Sequence, residues 1–499
     1  MTTHKEEMKI VLQNVIFRSP VEIEPEMYYR LTGTIEEKND GVRLGFNSMI
    51  TTDTYMNLFD YPTWKEYTGL DNVTIIIVAK GKGRIQICSG LSERKVLTEK
   101  TIEDKQKYNQ YEIRLEVSFK LKEVFLKIIS EEGLEVEKIS FVTERESTKL
   151  NEVNLSLVIC TYHREKMLVR NLNRVAESLF FNRKSMLFGR MNIRVIDNGS
   201  SLEMQDSEYV HIYRNPNTGG SGGFIRGIKE SLATEKKEKT SHIILMDDDV
   251  EILNETFYRL YALLILIKSQ YAKKVIGGRM FRDDLKSIQY TALEIWNGGD
   301  IIHVAGNKDM KDIKNLKNVN DVQGEYTGWW FGCFPISFCK KNLPLPFFLH
   351  CDDVEYGLRN RESPMVLNGI QVWHETYEYR RNPIIIYYDM RNTLIVNTIH
   401  HYFDKYTDVL LYWKNRMGRY YAEKKYDLQY ASIIALLDYT RGSKHFLGYN
   451  CKKVLVNGNN FALHLVVIVL WRIVALVYTI CGEKAFLSYK NLLCEEKQK

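Results

Sequence analysis

The chain lacks the features that would make it a disulfide scaffold, a nucleic-acid binder or a secreted protein. Its 8 cysteines include no Cys-x-x-Cys pair. That argues for reduced thiols in a cytosolic protein, not a disulfide framework. The net charge is only +6, too small to argue for nucleic acid. The first residues, Met-Thr-Thr-His-Lys-Glu-Glu-Met-Lys, lack the apolar core of a signal peptide, so the activity is expected to face the cytoplasm. Proline is scarce at 9, against 31 tyrosines. The one glycine-rich stretch, Asn217 to Gly227, has no Gly-Lys-Ser/Thr after it and so is not a P-loop. It follows a third strand pattern, not a first, which disfavours a dinucleotide fingerprint. What remains is an ordinary globular composition, 44% hydrophobic over 499 residues, enough for two to four domains.

The stretch that organises the rest is Ile243 to Glu251, Ile-Ile-Leu-Met-Asp-Asp-Asp-Val-Glu. Three adjacent carboxylates repel one another, so a fold that keeps them together needs a positive partner. After an apolar strand, a divalent cation on carboxylate oxygens is the natural partner; a solvated acidic turn is the plainer alternative. The strand-then-helix context puts the triplet where open α/β sheets bind ligands.

Residues 1–150 read as short strands. Tyr111, Ile113, Leu115 and Val117 alternate with charged residues, and apolar runs at 73–78, 124–129 and 136–142 are broken by Gly81, Gly83 and Glu-Glu-Gly at 131–133. That spacing suggests a β-sandwich or jelly roll, structural in role before carbohydrate-binding. The polar segment 143–152 reads as a linker. Strand runs at 155–160, 193–196 and 210–213 then alternate with helical patterns, which implies βαβ units and a mostly parallel sheet. Polar residues follow each strand. Four glycines at 219–223 let the backbone approach a ligand, as a loop into a helix N-terminus beside a sugar and phosphates. Residues 306–322 read as a charged excursion over the active face.

A second acidic cluster, His-Cys-Asp-Asp-Val-Glu at 350–355, follows another apolar run and places Asp352, Asp353 and Glu355 in the first turn of a helix. Stabilisation by the helix dipole is one role, a general base the other. His374, in Val-Trp-His-Glu, can complete a cation site through a neutral imidazole nitrogen. Trp329 and Trp330 are either core or a stacking platform for sugar rings. From Ile384 onward the pattern is helical. The apolar segment 461–481 is about long enough to span a bilayer, but Arg472 near its middle would cost a few kcal/mol there. It is expected to be buried or to lie on a membrane surface.

The ordered series Cys-Thr-Tyr-His-Arg-Glu, Asp-Asn-Gly-Ser, Asn-x-Gly-Gly-Ser-Gly-Gly-Phe, Met-Asp-Asp-Asp, Gly-Trp-Trp-Phe, His-Cys-Asp-Asp-Val-Glu-Tyr-Gly-Leu-Arg and Trp-His-Glu resembles family 2 glycosyltransferases of the GT-A fold. It is most similar to the polymerising UDP-galactofuranose transferases of mycobacterial galactan. The resemblance covers about Leu155 to Asn397. It implies an α/β GT-A core at 151–383 between a β-sandwich or jelly-roll domain at 1–150 and a helical domain at 384–499. It implies Asp247, Asp249 and His374 as ligands of Mn²⁺ or Mg²⁺. Thr161, Arg164, Asp197 and Asn217 would hold the uridine and diphosphate, with Gly219, Gly220 and Asp248 also on the donor side. Asp353 would be the base with Asp352 beside it, and Trp329, Trp330 and Glu355 would meet the acceptor. Cys351 departs from the pattern, because the mycobacterial enzymes carry an aromatic there.

One carboxylate set for a metal and one for a base is what an inverting transferase needs. The expected activity is transfer of a sugar, galactofuranose or another UDP- or dTDP-sugar such as rhamnose, to a glycan or lipid-linked glycan. The expected setting is the inner membrane face, peripherally bound, with no nucleic acid and with a homo-oligomer left open. A nucleotidyltransferase is disfavoured because the first strand ends in Thr-Tyr-His-Arg instead of a glycine-rich loop. A glycan-binding protein with an inert α/β domain is disfavoured by the two acidic clusters and His374.

Overall fold

A computed structural model of the chain describes residues 7–38, 41–116, 121–176, 179, 182–360, 362–376, 382–448 and 461–496, with 461–463, 465, 495 and 496 described by backbone alone. Val117 and Cys451 lie outside the described residues; the seven cysteines inside them are free thiols.

Two long strands, Val73–Ser89 and Glu123–Glu146, run through a ten-stranded sheet that fills the first part of the chain. The expected turns at Gly81–Gly83 and at 131–133 are not turns. Both strands continue through these positions, and their register slips between Ser130 and Leu134. A Cβ on Gly81 would lie 2.3 Å from the Gly133 carbonyl oxygen. The glycines therefore permit a bulge with close backbone contact, not a chain reversal. The Glu123–Glu146 strand also takes in the first residues of the expected linker, since Ile10 pairs with Thr143 and Glu7 with Glu146.

The six-stranded sheet behind the acidic triplet orders its strands Val210–Arg214, Met191–Asp197, Leu155–Thr161, His242–Asp247, Gly332–Pro335 and Ile276–Gly277. The first four are mutually parallel; the central pair, Leu155–Thr161 and His242–Asp247, is buried almost throughout by mostly apolar residues. The direction of winding reverses between Leu155–Thr161 and His242–Asp247. A ligand crevice belongs outside the carboxyl ends of that pair. Cys160 is in register with Asp247 there, so the first strand delivers Thr161 to the same place.

A smaller sheet carries Glu251–Ile252, Gln371–His374 and Arg279–Arg282 side by side. It begins four residues after Asp247 and brings a strand from far along the chain against the triplet. The 306–322 excursion does not lie over the active face. Its Asn320 donates to Asp60 at 2.8 Å, and Arg30 donates to the Lys311 carbonyl at 2.8 Å, which ties it to the strand-rich front. One hydrophobic core runs from Ile10 to Trp373 and joins that front to the α/β sheet. Within it the buried Arg259 bonds Glu255 at 3.0 Å and the Met56 carbonyl at 2.6 Å.

The tail helices Pro383–Ile399, Tyr406–Ala422, Tyr426–Thr440 and Phe461–Lys490 form a second core. The last helix is longer than its apolar stretch suggests. Val467, Val474, Tyr478, Ala485 and Tyr489 bury one face of it, and Tyr489 stacks on Tyr439 at 4.7 Å. Val466, Val469, Ile473, Leu476 and Ile480 are exposed on the other face, with Arg472 among them. By length and composition this helix could cross a membrane, with a mean hydropathy of 2.0 over its most apolar window.

Candidate active site

The strand His242–Asp247 ends at the triplet, and the residues that follow turn its carboxylates in different directions. The Asp247 and Asp249 carboxylates and the His374 imidazole offer three ligand atoms within 4.8 Å of one another. His374 Nε2 lies 3.0 Å from Asp249 Oδ1 and 3.8 Å from Asp247 Oδ2. Its Nδ1 lies 2.6 Å from the Glu375 carbonyl oxygen. A proton held on Nδ1 by that carbonyl leaves Nε2 as the lone-pair face toward the carboxylates, the arrangement usual for a ligating histidine. Two carboxylates and one imidazole suit Mn²⁺ or Mg²⁺.

The electrostatics fit a cation as well. Burial pushes the Asp247 carboxyl up to about 7; His374 pulls it down, and Asp249 and Asp248 push it up further. Burial alone would lower His374, but the hydrogen bond and charge of Asp249, then the charge of Asp247, hold it above its ordinary value. Crowded anions and a proton-retaining imidazole are what a site tuned for a divalent charge looks like when only protons compensate it.

Arg164, at the start of the helix Glu165–Val175, reaches across the crevice. Its Nη1 bonds Asp248 Oδ1 at 3.1 Å and also meets Asp249 Oδ2. Asp248 is 4% exposed; burial pushes its carboxyl up, and the neighbouring Thr161 hydroxyl and Arg164 hold it back down. Thr161, Arg164 and Asp248 thus converge. Asp197 lies beside Thr161 in the sheet register; it is fully buried, and its oxygens accept from the Gly199 and Leu202 amides at 3.0 and 2.9 Å. It shapes the turn after its strand.

The glycine-rich stretch is not a loop. It is the start of the helix Gly219–Glu238. Asn217 Oδ1 accepts the Gly219 amide at 3.0 Å and directs the entry. The glycines let this helix lie unusually close to its neighbours: a Cβ on Gly223 would be 2.1 Å from Cys160 Sγ, and one on Gly219 2.0 Å from the Phe348 carbonyl oxygen. The start of this helix lies next to Asp352, whose Oδ2 would be 3.9 Å from a Cβ on Gly220.

The second cluster does open a helix, Asp352–Leu358. The turn before it is strained: Phe348, His350 and Cys351 all have positive φ, +77°, +62° and +61°. The tail holds this turn in place. Asn392 Nδ2 donates to the Leu349 and His350 carbonyls at 2.6 and 2.9 Å, and Arg391 to the Phe347 carbonyl at 2.7 Å. Phe348 stacks on Tyr388 at 4.9 Å, and its amide donates to Ser221 at 2.7 Å. Sequence reasoning missed Arg391 and Asn392, because nothing in a helical tail announces which carbonyls it will meet. Cys351 is buried beside Thr393, a position where a small side chain fits under the helix.

Burial pushes Asp352 up to about 6. Burial, then Asp352 and Glu294, pushes Asp353 well above the usual carboxylate range. Three expected acceptor residues are placed otherwise. Trp329 and Trp330 are 4% and 3% exposed. Trp329 packs edge-on against Phe224 and Tyr356, and the Trp330 indole donates to the Gly278 carbonyl at 2.8 Å. Neither presents an open ring face for a sugar. Glu355 is fully buried, with Arg359 at 2.7 Å and His400 at 3.2 Å. It braces the acidic helix against the tail.

Comparison with known proteins falls on the same region. The family described as Glycosyl transferase family 2 matches residues 156–297, a span that holds the acidic triplet and stops short of Asp352, Asp353 and His374. Galactofuranosyltransferase GlfT2 of Mycolicibacterium smegmatis is 27% identical over 210 residues, 38% of this chain and 32% of that protein. Galactofuranosyltransferase GlfT2 of Mycobacterium tuberculosis is 23% identical over 387 residues, 72% of this chain and 60% of that protein. The chain therefore spans less than two thirds of either relative. A solved mannosyltransferase from Pyrobaculum calidifontis, in complex with GDP-Man and Mn²⁺, aligns over 68% of this chain and 88% of its own at 8% identity, with a TM-score of 0.32.

Proposed function

We propose, from a chain that carries a glycosyltransferase family 2 domain at residues 156–297, that the protein is an inverting, metal-dependent glycosyltransferase. It moves galactofuranose from UDP-galactofuranose to a hydroxyl of a cell-surface or lipid-linked glycan. One observation carries this reading. Two acidic groups from separate elements are close enough for Asp247 to feel the charge of Asp352, one with an imidazole at ligand distance and one at a helix start.

Each residue then has one task. Asp247, Asp249 and His374 would hold Mn²⁺ or Mg²⁺, which when bound supplies positive charge against the leaving diphosphate. Arg164 adds a second positive group on the same side, and the free amides that open the Gly219–Glu238 helix suit phosphate oxygens. Thr161, Asn217 and Asp248 complete the donor side. Asp353 takes the proton of the acceptor hydroxyl from the opposite side, and Asp352 orients it. The acceptor oxygen bonds the sugar carbon as the carbon–oxygen bond to the diphosphate breaks, with inversion. In this reading 1–150 is a β-sandwich module, 151–383 the GT-A catalytic part and 384–499 a helical part that steadies the acidic turn. The exposed apolar face of the last helix would keep the enzyme at the inner membrane surface, near a lipid-linked acceptor.

The test is calorimetric titration of UDP with and without Mn²⁺, followed by product analysis with UDP-galactofuranose and a galactofuranosyl oligosaccharide. Asp247→Ala and Asp249→Ala should each abolish Mn²⁺-dependent UDP binding while the fold survives. Undiminished Mn²⁺-dependent affinity in both variants would end the metal assignment, and transfer from another nucleotide sugar alone would end the donor assignment.

A further inference from the structure

Just past the triplet, Glu251 is a carboxylate that the mechanism above leaves unused. Its strand pairs with Gln371–His374 through Ile252 with Val372 and Glu251 with Trp373, so on this side the ladder stops short of His374. Both oxygens of the Glu251 carboxylate are engaged, and by different elements. Oε1 accepts from Arg170 Nη1 at 2.9 Å, and Oε2 accepts from Lys286 Nζ at 2.6 Å. Each partner leads to one side of the site. Arg170 sits on the helix Glu165–Val175, whose start carries Arg164. The next residue of that helix, Asn171, donates to the Val250 carbonyl at 2.8 Å. Lys286 also donates to Asp283 Oδ1 at 2.7 Å, and its carbonyl accepts the Trp373 indole N–H at 2.9 Å. The Asp283 amide donates in turn to the His374 carbonyl at 3.1 Å.

The two arms converge on Asp249. His374 lies on its Oδ1 and Arg164 on its Oδ2, from 125 and 85 positions away. An exposed ion pair of either kind would be a surface feature of little consequence. Here the Glu251 side chain is 17% exposed, and one carboxylate links both distant elements to the chain that carries the triplet. We propose that Glu251 is a positioning residue that sets His374 and Arg164 on the two oxygens of Asp249. The inference rests on the reading of Asp247, Asp249 and His374 as the metal site. Through Lys286 and Asp283 it fixes the strand end that turns His374 toward the cation. Through Arg170 it fixes the helix start that turns Arg164 toward the diphosphate. The task needs two acceptor oxygens. A carboxamide has one acceptor and one donor, and the donor would face Arg170 or Lys286, which can only donate.

The arms can be cut one at a time, with each variant assayed well below its thermal midpoint. Lys286→Met should lower Mn²⁺ affinity about 10-fold, as loss of a group that orients a metal ligand does. The electron paramagnetic resonance signal of the free ion reads that affinity without substrate. Charge alone predicts the opposite sign, because Lys286→Met removes a positive group near the cation. Lys286→Arg keeps a donor on Glu251 and should recover most of the loss. Arg170→Met should keep Mn²⁺ affinity near that of wild type and weaken UDP binding at saturating Mn²⁺. Glu251→Gln should show both defects. Wild-type or higher Mn²⁺ affinity in Lys286→Met and Glu251→Gln would overturn the proposal. So would an equal fall in Mn²⁺ affinity in Lys286→Met and Arg170→Met, which is what general loosening produces. Failure of the wild type to bind Mn²⁺ would instead overturn the metal site on which the proposal rests.

Discussion

Replacing either aspartate of the second cluster should trade activity against stability, with a direction that depends on pH. Burial pushes Asp352 up to about 6, roughly two powers of ten in proton affinity above an ordinary aspartate. At neutral pH the ionised carboxylate therefore costs the fold about 2–3 kcal/mol, the lower figure allowing for water at the mouth of the crevice. The sign follows from linkage. A carboxyl whose folded value is raised favours the fold only while protonated, so the wild type loses stability as pH rises from about 4 to about 6. Asp352→Asn is neutral throughout and escapes that loss. In chelator, it should be more stable than wild type above pH 6, and the advantage should shrink to nothing near pH 4. Asp353, also raised by burial and then by Asp352 and Glu294, should show the same direction of change. Activity should separate the two residues. Asp353→Asn should lose about 10²–10⁴ in turnover with donor affinity nearly unchanged. Thermal unfolding across pH 4–8 and initial rates of UDP release read both quantities. Variants that are less stable than wild type at pH 8 would refute the burial argument. Near-normal turnover in Asp353→Asn with an inactive Asp352→Asn would exchange the roles, and activity in both would reduce the pair to a helix start.

Other outcomes are accessible to simple assays. Mn²⁺ affinity of the wild type should fall as pH is lowered through the raised His374 value, because the ion must displace a proton from the ring; His374→Ala should bind more weakly and with a shallower pH dependence, by calorimetry at several pH values. Gly223→Ala should lower the thermal midpoint by the equivalent of about 1–3 kcal/mol, since the new methyl would meet Cys160 Sγ, and Cys160→Ala in the same chain should restore part of it. Arg391→Ala should release the Phe347 carbonyl and lower turnover more than donor binding, measured as kcat against KM. On vesicles with anionic lipids, alkaline carbonate should strip the protein, because one face of the Phe461–Lys490 helix is committed to the tail core; resistance to carbonate would mean the helix crosses the bilayer.

The strands of the α/β sheet and their polar ends are legible in the sequence. A parallel strand buried on both faces reads as a near-continuous apolar run, so the central strands Leu155–Thr161 and His242–Asp247 stand out, while the edge strand Val210–Arg214 is only half-buried and Met191–Asp197 buries an arginine. The two acidic clusters are legible for a similar reason: adjacent like charges after an apolar run need an explanation on the spot. Other features depend on groups far apart in the chain. His374 meets Asp249 across 125 positions, because a second sheet folds its strand against the triplet. The glycines after Asn217 read as a loop leading into a helix, and only the closeness of Cys160 and Phe348 shows why they belong to the helix itself. Trp329 and Trp330 could stack on a sugar or fill a core, and the Phe224, Tyr356 and Gly278 around them make them core. The strain at 348–351 has no local signature at all. Local pattern determines where an element forms and which side chains it can offer. Packing decides which of them face one another, because burial and pairing are set by residues the local sequence does not contain.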